Sequence, residues 1–81
     1  MELQEDNVKA QSLGDWKALL ANKEALLTQP GAHHAMLLKR AYGLHQVQLI
    51  NRDELADLLD LADSALEYAF EELLHIPVEN R

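Results

Sequence analysis

The chain contains no cysteine, which excludes disulfide frameworks, thiolate metal sites and cysteine nucleophiles. Proline occurs twice and glycine three times in 81 residues, too few for the tight turns of a many-stranded β-fold. Four residues are aromatic, Trp16, Tyr42, Tyr68 and Phe70, so leucine and alanine must supply the core, as in helix packed on helix. No apolar run approaches the length of a membrane span. The opening Met1-Glu2-Leu3-Gln4-Glu5-Asp6 lacks the basic and apolar regions of a signal peptide. A soluble cytoplasmic protein is therefore expected.

At 48% hydrophobic and 26% charged residues, the composition is that of a folded domain rather than a disordered segment. Eighty-one residues make a single domain (1–81) with a small core, a size at which chains often gain stability by oligomerising. The net charge of −7 is uneven. Residues 1–52 carry six basic and five acidic side chains, whereas residues 53–81 carry one basic and nine acidic. A surface with this balance repels phosphate backbones, which disfavours general nucleic-acid binding.

What is present is helical periodicity. Residues 1–11 are polar and are expected to fray or remain flexible. A first helix is predicted over about 13–28, with Ser12 and Asp15 approximating a capping box and Leu13, Trp16, Leu20 and Leu27 on its apolar side. Pro30 and Gly31 then break the chain, with Gln29 pushed towards extended backbone. A second helix is predicted over about 32–49, with Leu37, Ala41 and Leu44 on one face and Leu38, Tyr42 and Leu49 extending it sideways. Gly43 lies in its interior, where it weakens the helix unless a neighbour needs the space.

The strongest local signal opens the third helix, predicted over 52–75. Asn51 suits the N-cap, Glu54 completes a capping box, and Ile50 with Leu55 forms a hydrophobic staple. A connection of two or three residues would make the second and third helices antiparallel neighbours. Pro77 should end the third helix, leaving 77–81 as a tail.

Along the third helix, Leu55, Leu59, Ala62, Leu66, Ala69 and Leu73 recur at spacings of four, three, four, three and four. That heptad draws a narrow seam, built to lie against another helix, in which large and small side chains alternate. Eight acids cover the rest of this helix without a single Lys or Arg between Asp53 and Leu74. Leu58, Leu61, Tyr68 and Phe70 fall outside the seam, more apolar girth than one helix of a small monomer can bury. The seam is expected first of all to be core packing within the chain. The seam residues with Phe70 are also the candidate interface, should a second copy or another protein supply part of that core.

The stretch Asp53-Glu54-Leu55-Ala56-Asp57, followed by Leu61-Ala62-Asp63, Leu66 and Tyr68, resembles the second helix of the Rop family of plasmid copy-control proteins. The resemblance covers about residues 34–74 and needs a one-turn deletion; the helix bearing Trp16 has no counterpart. It implies a helical hairpin that dimerises into a bundle with alternating small and large core layers. RNA binding in that family uses the first hairpin helix, but none of its RNA-contacting side chains maps onto this sequence.

Other constellations are weaker. Glu72 and His75 have the Glu-x-x-His spacing of carboxylate-bridged metal bundles, yet the chain has no second such pair. His75 suits instead the negative end of its helix. His33 and His34 are expected roughly opposite Tyr68 and Ala69, away from His75. Lys39, Arg40 and His45 form a candidate RNA-contact face on the second helix, although Lys39 and Arg40 point in different directions around it. The acids of the third helix are solvated alike, with no pocket to set their pKa values apart, so catalysis is not expected. Neither is a metal or cofactor.

The sequence thus predicts an all-α protein: an antiparallel helical hairpin with an additional N-terminal helix, forming a helical bundle as a homodimer. Its expected role is non-catalytic, regulatory or adaptor, through protein–protein interaction by an acidic and partly apolar helix surface. The alternative is a Rop-like RNA-binding regulator using the second helix.

Overall fold

The computed structural model describes residues 2–74, with side chains from Asn7 onward, and every element among these residues is a helix. Four follow one another: α1 (Glu2–Leu20), α2 (Lys23–Thr28), α3 (Pro30–Gln46) and α4 (Arg52–Leu74). The protein is all-α. The predicted tail at 77–81 lies outside the described residues.

α1 starts well before Leu13, over the stretch where fraying was expected, and Ser12 and Asp15 lie inside it rather than at its cap. Glu, Gln, Lys, Leu and Ala dominate that stretch, and all of them favour helix. Lys9 Nζ also donates to Glu54 Oε2 at 2.8 Å, tying the helix to the start of α4. The single helix predicted over 13–28 is instead divided at Ala21 and Asn22. Asn22 is the cause: its Oδ1 accepts the Ala25 N–H at 3.1 Å, so the side chain caps a new helix.

Gln29 adopts an extended φ of −141°, as the following proline requires. Pro30 then occupies the first turn of α3, where its missing N–H is no loss, so the helix begins two residues before the predicted Ala32.

α3 ends at Gln46, not Leu49, and its connection to α4 runs from Val47 to Asn51. The reason is a Schellman cap. Gln48 takes a left-handed φ of 65°, its N–H donates to the His45 carbonyl at 2.9 Å, and the Leu49 N–H donates to the Leu44 carbonyl at 2.9 Å. Nothing but the missing glycine hides this motif. α4 then opens on a reciprocal capping box, Glu54 N–H to Asn51 Oδ1 and Asn51 N–H to Glu54 Oε1, both at 2.8 Å. Ile50 and Leu55 are both buried in the core beside it.

α4 runs back along α3, and these two helices share the largest contact in the molecule. The longer turn shifts their register, so His34 faces Asp63 at 2.9 Å rather than Tyr68 and Ala69. α1 lies across both. Lys9 reaches Glu54, Trp16 reaches Leu37, and the Leu19 carbonyl meets His33, so α1 is antiparallel to α3.

The core sits where the three long helices meet. Trp16, Leu37, Ala41 and Ala62 are fully buried, with Ile50, Leu55 and Leu58 around them. Trp16 is its largest member, and its indole Nε1 donates to the Leu37 carbonyl at 2.9 Å. Burying a side chain of this size removes about 200 Å² from water, on the order of 5 kcal/mol before entropy is counted. Gly43 faces open space: a Cβ built there would meet nothing within 4 Å, so no close helix approach explains it.

Candidate functional site

The heptad seam of α4 divides into two rows. Leu55, Ala62 and Ala69 are buried, joined by Leu58, which the seam had left out. Leu59 is half-buried against the core and Leu66 is also half-buried, while Phe70 and Leu73 are 49% and 48% exposed. The cause is that α4 touches two neighbours. α3 packs on one side and α1 with α2 on the other, so the buried arc centres between them, on Leu58 and Ala62. Leu73 points along the seam but lies beyond the N-terminal end of α3, where that helix offers it no cover.

On the α1–α2 side, Leu61, Ala65 and Tyr68 border a shallow groove with Leu20 and Leu26. Lys23 stands 5.5 Å from the centre of the Tyr68 ring, and the Tyr68 hydroxyl beside it holds the ammonium pKa above its usual value. On the opposite side, α3 and α4 present a face that neither α1 nor α2 borders. Its α4 row is Ala56, Leu59, Asp63, Leu66, Phe70 and Leu73, and its α3 row is Gly31, Ala35, Leu38 and Tyr42. Tyr42 is 52% exposed. Both rows keep heptad spacing, and Leu38 and Tyr42 are the residues expected at the side of that helix's apolar face.

Behind this face runs an acidic ridge. Asp53, Asp57, Asp60, Glu67 and Glu71 are all exposed, with Ser64 completing the row. Like charges at such spacings disfavour the helix by about 0.2–0.5 kcal/mol per pair. Glu54 differs from these acids. Lys9 and then the Asn51 N–H hydrogen-bond its carboxylate and hold its pKa below the usual value.

The three candidate RNA-contact residues do not form one patch. Lys39 and Arg40 are exposed and His45 is half-buried. Arg40 borders a groove against α1 with Asp15 and Trp16, whereas His45 borders another at the turn with Lys9 and Arg52.

The histidines are likewise dispersed. His33 is 5% exposed, and its Nε2 donates to the Leu19 carbonyl at 2.7 Å, which hooks the C-terminal end of α1 onto α3. Its Nδ1 is buried without a partner. His34 pairs with Asp63 at 20% side-chain exposure against 70% for the acid. Among the described residues, no three His, Asp or Glu side chains gather as metal ligands. His75, and with it the Glu72–His75 pair, lies outside the described residues. No helix among them is long and apolar enough to cross a membrane.

No protein-family model, curated protein or solved structure matches this chain.

Proposed function

We propose that this protein acts without catalysis, by binding another protein through the uncovered α3–α4 face, in a regulatory or adaptor role. The observation that carries this reading is the apolar row at the C-terminal half of α4. Leu66 is half-buried, Phe70 and Leu73 are each about half exposed, and Leu74 is 71% exposed. Exposed apolar residues gathered on one face and bordered by charge are the kind of patch that marks a protein contact. The acidic ridge would add long-range selectivity for a basic partner or region. Self-pairing belongs to the same reading: a homodimer in which part of the Leu/Ala seam is shared, completing a helical bundle.

The test is capture from the native cell extract by the wild-type chain and by Phe70→Asp, with proteins and nucleic acids both identified. Specific proteins held by the wild type and lost from the variant support the reading. The RNA alternative makes a different forecast, since it requires salt-dependent binding of structured RNA that weakens in Lys39→Ala and Arg40→Ala. The scatter of Lys39, Arg40 and His45 counts against that alternative.

A further inference from the structure

We propose that the groove between α1 and α3 around Gly43 binds a small zwitterion, a free α-amino acid with an apolar side chain of modest size. Ser12, Asp15 and Trp16 of α1 line one wall, and Arg40, Gly43 and Leu44 of α3 line the other. No α4 residue borders this groove, so it is separate from the α3–α4 face and does not depend on the protein-contact reading.

Gly43 is the first observation. It lies in the interior of α3, where glycine weakens a helix relative to alanine. Its φ is not in the left-handed region, and a Cβ built on it would meet nothing within 4 Å. Neither backbone conformation nor contact with another helix requires glycine at this position. The missing side chain instead keeps the α3 wall of the groove low, one turn from Arg40 and beside Leu44.

The second observation is a pair of opposite charges left apart. Asp15 and Arg40 border the same groove, and both are exposed. The ion pairs among the described residues are Lys9–Glu54 and His34–Asp63, so Asp15 and Arg40 are not joined to each other. One anion and one cation on a common space match a ligand that carries both charges. An α-carboxylate suits the Arg40 guanidinium, whose planar fork takes both oxygens at once. The α-ammonium then falls to Asp15. Ser12, half-buried, offers a hydroxyl that can donate or accept. A ligand with only one charge would meet an opposing group as well as a matching one, which selects against it.

Volume and exposure set the rest. At about 250 Å³ the groove falls below the roughly 300–1,000 Å³ of drug-sized pockets, which excludes a nucleotide or other large cofactor. Trp16 and the half-buried Leu44 give the ligand's side chain an apolar floor. Both charged contacts stand open to water, so binding is expected in the millimolar range, suited to sensing an abundant metabolite.

The experiment titrates the isotope-labelled protein with alanine, valine and leucine and follows the backbone amide chemical shifts. At least one of the three should shift the amides around Asp15 and Gly43 saturably at millimolar concentration. For that amino acid, N-acetylation and conversion of the carboxylate to an amide should each weaken binding about tenfold, as should Asp15→Asn and Arg40→Gln. Gly43→Leu should abolish binding by filling the groove, while its urea midpoint stays at or above that of wild type.

No saturable shift with any of the three overturns the site. Equal binding of the N-acetylated or amidated form overturns the zwitterion as ligand, and binding retained in a folded Gly43→Leu overturns the location. Should Gly43→Leu unfold, the exposed Asp15→Asn and Arg40→Gln decide the location between them: unchanged affinity in both overturns it.

Discussion

Replacing Trp16 with phenylalanine should destabilise the protein by about 2–3 kcal/mol. The figure has two parts. The indole Nε1, fully buried, loses its 2.9 Å bond to the Leu37 carbonyl, a contribution of about 1 kcal/mol. The smaller ring also leaves a void among Leu37, Ala41 and Ala62, which relaxes only in part and adds about 1–2 kcal/mol. The Leu37 carbonyl is not orphaned, because a helix-interior carbonyl keeps its own i+4 donor. Trp16→Ala removes the whole side chain and should cost about 3–5 kcal/mol. A domain of this size has roughly 4–12 kcal/mol to lose, so the alanine variant approaches the limit of folding. Urea unfolding followed by circular dichroism at the helical band measures both, with the slope checked against wild type. A change below about 0.5 kcal/mol in Trp16→Phe would refute the idea that the indole anchors α1 to α3 through this bond and its packing.

Gly43→Ala should raise stability by about 0.5–1 kcal/mol, since the added methyl meets nothing and the helix interior gains propensity; thermal melting reads it as a higher midpoint. Gln48→Gly should stabilise by about 1 kcal/mol, because glycine holds the left-handed φ of 65° without the steric penalty; the urea midpoint measures this. The lowered pKa of Glu54 has a pH consequence. Its contribution is fully present above the ordinary carboxylate pKa of 4.5 and is lost as pH falls through the lower folded value. Wild type should therefore lose stability over that acid range more steeply than Glu54→Gln, as urea midpoints taken at successive pH values would reveal.

The helical class, the three large apolar segments and the Asn51–Glu54 box were legible because each rests on local spacing and local capping. The break at Asn22 was missed because asparagine is ordinary on a helix surface, and only its bond to the Ala25 N–H makes it a cap. The Schellman turn was missed because its left-handed residue is glutamine, which carries none of the usual glycine signal. That single turn then displaced the expected register of His34. On α4, the heptad correctly put Leu55, Ala62 and Ala69 on one side but could not tell one neighbour from two. Periodicity gives the direction of an apolar face, while the width of the buried arc depends on how many helices converge on it. The candidate face was partly legible: Leu59, Leu66, Phe70 and Leu73 of α4 and Leu38 and Tyr42 of α3 were named as apolar, whereas Gly31 and Ala35 were not placed beside them.

The placement of the lone tryptophan also orders events in folding. The turn joining α3 to α4 closes through contacts between near neighbours in sequence, whereas the indole reaches a carbonyl 21 residues away on another helix. Short loops close first and lose least chain entropy, so the α3–α4 pair forms a surface before α1 settles on it. Helix content and indole shielding are thus separate clocks on one refolding chain. No second tryptophan clouds the slower one.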